Sequence, residues 1–207
     1  MRLYLGFESG NSYKIRVLLS LLNLQCEIVT VNIAKHEHKS SLFRHLNPRG
    51  QVPVLEDKGR VFWDSSAALV YIAGRFGGEA WLPRDPADLA EVTQWLALSG
   101  NEIQFGLQYA RRGVKRGRWI AGSLEELQAI GRLGLEALES RLAAHPWLCF
   151  NRLTIADIAC FPYVEQSPEA NIPLDPYPGI EAWLLRCRAL PHWPSREVDR
   201  TVAIPFN

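Results

Sequence analysis

The chain has 207 residues, of which 47% are hydrophobic and 22% charged, and its formal net charge is +1. This composition is typical of a soluble globular protein and excludes wholesale disorder or a collagen-like repeat. Near-neutral charge argues against a nucleic-acid-binding protein, which needs a strongly basic face. No apolar run approaches the roughly 20 residues that span a bilayer. We therefore expect neither nucleic acid nor a membrane among the partners.

The N-terminus has one early basic residue and a short apolar stretch, a pattern that does not predict a secretory signal. There is no CxxC motif and no His near a cysteine at zinc-ligand spacing, so we expect neither a metal nor a disulfide framework. Apolar neighbours flank each cysteine, which predicts buried thiols of a cytoplasmic protein. The four cysteines are Cys26, Cys149, Cys160 and Cys187.

Short strands and helices alternate through residues 1–78. Apolar runs predict strands, and a hairpin turn at 57–59 joins the last two of them. The predicted strands are residues 2–6, 27–31, 52–55 and 61–63. Apolar spacing of three and four predicts helices at 12–22 and 65–76, with a short helical turn ending at Asn47-Pro48. The order β-α-β-α-β-β-α predicts a mixed sheet with helices packed on it.

The composition changes from residue 79, where a Pro-bearing stretch predicts a linker at 79–86. Helical periodicity then predominates, and we predict an all-helical domain over residues 87–207 after an α/β domain over 1–78. The predicted helices are 87–109, 124–144, 154–165 and 179–190. One helix start is explicit: Thr154 can cap the exposed N–H groups while Asp157 reaches back to the N–H of Thr154, as in a capping box.

Charge differs between the two parts. Residues 1–78 carry ten Lys and Arg against six Asp and Glu, whereas residues 79–207 carry thirteen against sixteen. A basic first part indicates an anionic ligand there, although solvated charge is the commoner explanation.

Four motifs share an order and spacing that resemble those of the cytosolic glutathione transferase superfamily, in particular its bacterial serine/asparagine-type members. The motifs are Ser9-Gly10-Asn11-Ser12-Tyr13-Lys14, Asn47-Pro48-Arg49-Gly50-Gln51-Val52-Pro53-Val54-Leu55, Asp64-Ser65-Ser66-Ala67 and Leu153-Thr154-Ile155-Ala156-Asp157. The resemblance covers nearly the whole chain. It implies a thioredoxin-like N-terminal domain, an all-helical C-terminal domain and a homodimer.

The first motif follows a strand and opens a helix, so its donors and the positive end of the helix can stabilise a thiolate. By resemblance, Ser9 is the first candidate to activate the thiol of glutathione, Asn11 the second and Ser12 the third. Alternatively, Ser12 or Asn11 only caps the helix. Tyr4 is a further candidate, although its place within a strand favours packing. Without Cys at 9–12, an enzyme mixed disulfide is disfavoured, but two-glutathione disulfide reduction stays open.

The other motifs imply contacts with the rest of the tripeptide. A cis proline at Pro53 would turn the backbone of Val52 toward the cysteinyl part, with Gln51 contacting glutathione through its side chain; the alternative is a simple turn. Asp64 and Ser65 would bind the γ-glutamyl group, a role that is compatible with capping a helix, and most relatives have Glu where this chain has Asp64. His38 and Lys39 resemble a pair that contacts the glycyl carboxylate, or they are solvated.

Five cations follow the first predicted helix of the second domain: Arg111, Arg112, Lys115, Arg116 and Arg118. A solvated face is the usual explanation, and a pocket for an acidic electrophile is the alternative. By resemblance, Gln108, Tyr109 and Arg112 are candidates for the second-substrate pocket.

We therefore predict a glutathione transferase that activates glutathione, its co-substrate, for attack on a small hydrophobic electrophile without a metal. The alternatives are a glutathione-dependent disulfide or peroxide reductase and a non-enzymatic binding module of the same fold. The sequence does not identify the electrophile.

Overall fold

The computed structural model describes residues 1–117 and 122–196 of the chain. These residues divide into two compact units: Met1–Gly77 with the described residues from Pro191 onward, and Gly78–Leu190. The predicted helical domain runs to residue 207, whereas residues 191–196 belong to the first unit. The reason is that side chains of the first helix hydrogen-bond the backbone of this segment.

The first unit contains a four-stranded sheet with the order β2-β1-β3-β4. Its strands are β1 (Arg2–Leu5), β2 (Glu27–Thr30), β3 (Val54–Asp57) and β4 (Arg60–Phe62). β1 and β2 are parallel, whereas β3 is antiparallel to both β1 and β4. The turn between β3 and β4 holds Lys58 and Gly59 at positive φ, 50° and 75°, as a two-residue hairpin requires. The predicted mixed sheet is confirmed.

Three α-helices complete the predicted order of this unit: α1 (Gly10–Leu21), α2 (Ser41–Leu46) and α3 (Ser65–Ile72). Leu3, Leu55 and Leu69 have no exposed surface, so the sheet and α3 share an apolar core. Beyond α3 the chain forms a π-helical turn over Ala73–Gly77, so the α-helix is shorter than predicted. The arrangement is thioredoxin-like, as the resemblance implies.

The second unit is helical, which confirms the predicted fold class. Its α-helices are α4 (Pro86–Leu98), α5 (Tyr109–Arg116), α6 (Leu124–Leu142), α7 (Ile155–Glu165) and α8 (Pro178–Arg188). Between α4 and α5 the chain is π-helical over Ser99–Gln108. The predicted helix at 87–109 therefore exists as an α-helix followed by a wider helix, which periodicity alone did not indicate.

Two glycines bring the π-helical segment and α6 into backbone contact. A Cβ atom on Gly106 would lie 2.2 Å from the backbone nitrogen of Gly131, and one on Gly131 would lie 2.6 Å from Leu107 Cδ2. Real Cβ atoms do not approach so closely, so Gly106 has no room for a side chain, and at Gly131 the Leu107 side chain would have to move. This crossing of two backbones is a central packing contact of the second unit.

The predicted capping box at the start of α7 is confirmed. Thr154 Oγ1 accepts from the N–H of Ala156 at 3.2 Å, and the N–H of Thr154 donates to Asp157 Oδ2 at 2.9 Å. Asp157 Oδ1 also accepts from the N–H of Leu148 at 3.1 Å and from Trp183 Nε1 at 3.0 Å. Asp157 has no exposed surface, and burial raises its pKa to about 6, against the opposing effect of these donors.

All four cysteines are buried thiols, as predicted. Burial raises the pKa of Cys26 to about 11 and that of Cys149 to about 12, and it raises the pKa of Cys187 as well. Because the thiolate is the reactive form, these cysteines are poor nucleophiles. Within the described part of the chain, no helix combines the length and apolar character that crossing a membrane requires.

Candidate functional site

The start of α1 lies directly after β1, where the predicted thiol-activating residues are found. Ser9 is the N-cap: its backbone is extended, and its Oγ accepts from the N–H of Ser12 at 3.2 Å. The alternative that Ser12 or Asn11 caps this helix is therefore wrong. A hydroxyl that accepts one hydrogen bond can still donate one, so Ser9 can offer its proton to an anion beside the first turn.

Ser12 and Asn11 lie in the first turn with different exposure. Ser12 is 1% exposed, and its Oγ accepts from the N–H of Gly6 at 3.4 Å, which joins the helix to the end of β1. Asn11 is partly exposed. Ser12 therefore has a structural contact within the protein, whereas Ser9 and Asn11 are both partly exposed.

Tyr4 packs rather than faces the start of α1. Its ring meets Phe43 edge-on at 6.3 Å, and its hydroxyl donates to Glu56 Oε2 at 3.2 Å. These contacts agree with the packing interpretation of this tyrosine.

Gly6 brings the end of β1 against the Val52-Pro53 segment. A Cβ atom on Gly6 would lie 3.0 Å from Ile33 Cγ1 and 3.4 Å from Val52 Cγ2, so a larger residue would press on the Ile33 side chain and contact Val52. The Val52-Pro53 peptide bond is cis, as the resemblance implies. Gly6 thus lies next to both the first turn of α1, through Ser12 Oγ, and the side chain of Val52.

A buried amide that the sequence did not single out as a site residue connects two of the predicted binding segments. Asn47 has no exposed surface. Its Nδ2 donates to the carbonyl of Gln51 at 2.7 Å and to the carbonyl of Trp63 at 3.3 Å, and its Oδ1 accepts from the N–H of Arg49 at 2.9 Å. Asn47 therefore holds the residues just before Val52 and Asp64. Asn before Pro indicates only a turn, so sequence could not assign this role.

Lys39 is hydrogen-bonded to the backbone of the loop that precedes Gln51. Its ammonium group donates to the carbonyls of Gly50 at 2.8 Å and Arg49 at 3.3 Å, the two residues that precede the exposed Gln51. Gly50 adopts φ +55°, and a Cβ there would lie 2.7 Å from the carbonyl oxygen of His38, so glycine is required. His38 stacks on His36 at 6.0 Å. The predicted His38-Lys39 pair is thus next to the residues that precede Gln51. Two of the hydrogen bonds that the Lys39 ammonium group can donate go to backbone carbonyls.

Asp64 and Ser65 begin α3. Asp64 is its N-cap and accepts from the N–H of Ser66 at 2.8 Å. The guanidinium of Arg49 lies 3.5 Å from the other carboxylate oxygen and 6.0 Å from the ring centre of Trp63. Ser65 is 6% exposed at the first position of the helix. The cap interpretation of Asp64 is correct, and about 44% of its side-chain surface is still open to solvent or a ligand.

The predicted second-substrate residues lie in the second unit. Gln108 ends the π-helical segment, and Tyr109 begins α5, where its ring meets Phe105 edge-on at 5.0 Å. Phe105 is 44% exposed and was not predicted, because a helical periodicity of 3.6 does not describe a π-helix. Arg112 is exposed on α5.

The basic cluster is divided between two kinds of environment. Arg111 donates to Glu169 Oε2 at 3.0 Å, and Lys115 contacts the same oxygen. Burial raises the pKa of Glu169, but the hydrogen bonds from Lys115 and Arg111 outweigh it, so the net pKa is lowered. These two cations therefore share an acidic partner within the unit; Arg112 and Arg116 are exposed on the same helix. Arg118 lies outside the described residues.

No group of three or more His, Cys, Asp or Glu side chains that could hold a metal ion occurs in residues 1–117 and 122–196.

Two family models match the chain. The glutathione S-transferase N-terminal domain matches residues 1–74, and the glutathione S-transferase C-terminal domain matches residues 121–186. The crystal structure of a glutathione S-transferase from Pseudomonas fluorescens Pf-5 superposes with a TM-score of 0.86 at 31% identity, covering 94% of this chain and 98% of that one. The chain therefore belongs to the glutathione S-transferase superfamily.

Relatives with other names match over most of their length. A maleylpyruvate isomerase from Ralstonia sp is 28% identical over 208 residues, covering 92% of this chain and 93% of its own. The disulfide-bond oxidoreductase YfcG of Escherichia coli K12 is 26% identical over 190 residues, covering 87% of each chain. Similarity at this level identifies the superfamily but spans several activities.

Proposed function

We propose that the protein is a glutathione transferase that stabilises the thiolate of glutathione at the start of α1 and adds it to a small hydrophobic electrophile. The observation that carries this proposal is the N-cap geometry of Ser9. Its hydroxyl oxygen accepts from the N–H of Ser12, which leaves its proton as the group to offer to a sulfur anion. The positive end of the twelve-residue α1 acts in the same direction.

The chemistry requires a thiolate because a free thiol, with a pKa of about 8.5, is mostly protonated at pH 7. A hydrogen bond donated to the sulfur favours the charged form and lowers that pKa. The thiolate then forms a carbon–sulfur bond with the electrophile, which either loses a leaving group or takes up a proton. Ser9 and Asn11 are the donors we assign to the sulfur.

The remaining contacts with glutathione would come from the segments whose backbone carbonyls are hydrogen-bonded by Asn47 and Lys39. We assign the cysteinyl backbone to Val52, beside Gln51 and Pro53, and the γ-glutamyl group to Asp64 and Ser65. His38 and Lys39 would face the glycyl carboxylate, and Ser12 would support the first turn from within. The support for this assignment is the pair of bonds from Asn47 to the Gln51 and Trp63 carbonyls.

The electrophile would be recognised by residues of the second unit. We assign this role to Gln108, Tyr109 and Arg112, and add Phe105 because its exposed ring packs edge-on against Tyr109. Aromatic surface favours an apolar substrate, since second-substrate pockets are mostly apolar with few polar groups.

The test compares Ser9→Ala, Asn11→Ala and Ser12→Ala with the wild-type protein, using aromatic-halide conjugation and a pH titration of bound glutathione. We expect Ser9→Ala to lower kcat by about 10² and to raise the pKa of the bound thiol, because one donor to the developing anion is lost. Asn11→Ala should give a smaller effect in the same direction. Ser12→Ala should mainly reduce stability.

Ser123→Ala is the matched control for the loss of a helix cap. Ser123 caps α6, where its Oγ accepts from the N–H of Glu126 at 3.2 Å, the same distance as in the Ser9 cap. Both changes should lower stability by about 1 kcal/mol, but only Ser9→Ala should change the thiol pKa. Unchanged thiol pKa values in both Ser9→Ala and Asn11→Ala would contradict the proposed site.

Two relatives point to other uses of the same thiolate. A disulfide reductase would attack a disulfide sulfur with one glutathione and release glutathione disulfide with a second, and one relative is named a disulfide-bond oxidoreductase. An isomerase would add the thiolate to a double bond and eliminate it after rotation, and another relative is named a maleylpyruvate isomerase. Assays with a small glutathionylated disulfide and with an acidic cis alkene, beside the aromatic halide, distinguish the three.

A homodimer and a cytoplasmic location complete the proposal. Five large apolar side chains of the first unit are more than a third exposed, which supports a partner surface: Leu42, Val61, Trp63, Val70 and Phe76. Sedimentation equilibrium tests the dimer. Four buried cysteines that form no disulfide with one another agree with a reducing compartment.

A further inference from the structure

The segment from Pro191 to Arg196 lies along α1 and is held by its side chains. Tyr13 Oη donates to the carbonyl of Pro194 at 2.7 Å, and Arg16 Nη2 donates to the carbonyl of Ser195 at 3.2 Å. Ser20 Oγ donates to the carbonyl of His192 at 2.8 Å. Residues 13, 16 and 20 are spaced by three and four, so they lie on one face of the helix. This face binds the backbone of residues 191–196, which we call the C-terminal strap.

Tyr13 is the centre of these contacts. It is 3% exposed. The guanidinium groups of Arg16 and Arg196 lie 5.6 and 5.1 Å from the centre of its ring, within the range of cation–π attraction. One residue of the helix is therefore bound to the strap through both its hydroxyl and its ring.

Tyr13 is also part of the first turn of α1. Its backbone N–H donates to the carbonyl of Ser9 at 3.0 Å, the first bond of the helical ladder. A side chain that fixes Tyr13 against the strap therefore restrains the carbonyl of Ser9 and, through it, the direction of the Ser9 hydroxyl. Ser20, which also donates to the strap, is near the opposite end of the helix and has no such connection.

We infer that the C-terminal strap positions the thiolate-stabilising turn, and that Tyr13 is the positioning residue through which it acts. The inference rests on the proposed function for its catalytic consequence, because it concerns the turn that carries Ser9. It also makes a structural statement, that the strap restrains the first turn of α1, which can be measured without any ligand.

The catalytic test compares Tyr13→Phe, which removes only the hydroxyl and keeps the ring, with the matched control Ser20→Ala. Each change removes one hydrogen bond to the strap. We expect Tyr13→Phe to lower kcat/KM by about fivefold, the size of one lost hydrogen bond, and to raise the pKa of bound glutathione. Ser20→Ala should leave both unchanged. Equal effects of the two variants, or a lower melting temperature without a change in thiol pKa, would overturn the inference.

The ligand-free test measures amide hydrogen exchange in the full-length Tyr13→Phe and Ser20→Ala proteins. Each lacks one hydrogen bond to the strap, from Tyr13 Oη or from Ser20 Oγ. We expect faster exchange of the Ser12 and Tyr13 amides only in Tyr13→Phe. Unchanged exchange there, or equal acceleration in both proteins, contradicts the inference. If the wild-type protein binds no glutathione while exchange responds as expected, the proposed function is wrong, but the strap still restrains the first turn of α1.

Discussion

A single buried amide has more influence on the candidate site than its sequence context indicates. Asn47 donates to carbonyls that precede the two predicted glutathione-binding segments, at Gln51 and Trp63. A buried carbonyl that loses its donor keeps its full desolvation cost. At the residue scale, the spacing of Val52 from Asp64 thus depends on a side chain that need not touch the ligand.

We predict that Asn47→Ala weakens glutathione binding by about tenfold and lowers the free energy of unfolding by about 1 to 3 kcal/mol, because two buried carbonyls lose a donor. Isothermal titration and urea unfolding measure the two effects. Asn32→Ala is the matched control, since it also removes an amide that bonds the backbone of the same unit, at Lys35. The control should change stability alone. Equal affinities for the two variants would rule out the positioning role of Asn47.

The segment Ser99–Gln108 is π-helical, whereas the apolar periodicity of the sequence predicted a continuous α-helix there. Its Gly106 meets the backbone of Gly131 on α6, and a Cβ on Gly134 of that helix would lie 3.2 Å from Glu102 Cβ. The same segment ends in Gln108 and carries Phe105. Since π-helical turns are uncommon and often occur at functional sites, this element connects close helix packing with the candidate second-substrate residues.

Gly106→Ala should destabilise the protein by about 3 kcal/mol, the upper end of the usual cost of overpacking, because the new Cβ would collide with the backbone of Gly131. Gly100→Ala is the matched control. It lies in the same π-helical segment, but a Cβ there has no neighbour within 4 Å, so the change should be neutral or stabilising by up to about 1 kcal/mol. Urea unfolding of both variants measures the difference. A small loss for Gly106→Ala would mean that the two helices can separate easily.

At the scale of the whole molecule, pH acts on stability through a buried carboxyl. The pKa of Asp157 in the folded protein is about 6, above its ordinary value of about 3.9. Folding therefore favours the protonated form, and stability from this group is present at low pH and lost as pH rises through 6. Asp57 and Glu169 have lowered pKa values, so they act in the opposite direction, at lower pH.

We predict that the free energy of unfolding gains on the order of 3 kcal/mol from Asp157 between pH 7 and pH 4, at about 1.4 kcal/mol per unit of pKa difference. Asp157→Asn should lack this dependence, although it is less stable overall because it loses the acceptor for the N–H of Thr154. Urea unfolding at a series of pH values measures both proteins. Parallel curves over this range would contradict the assignment to Asp157.

Much of the fold follows from local patterns. Alternating apolar runs predicted the β-α-β-α-β-β-α order, and the Thr154 and Asp157 spacing predicted the capping box, because both depend on residues that are close in sequence. The predicted order and box are observed. The cis bond before Pro53, which the resemblance implied, is also observed. The candidate residues of the first unit could be named in the same way, although their contacts with glutathione are still predictions.

Other features depend on contacts between residues that are distant in sequence. Asn47 reaches Trp63, Gly106 meets Gly131, and Tyr13 bonds to Pro194 across 181 positions. No local propensity encodes these pairs, since each arises only when separate elements pack. The sequence by itself determined the superfamily, the order of elements and the residues that can offer donors to a thiolate. The tertiary structure decided which of them caps the helix, where the helices approach most closely and which unit holds residues 191–196.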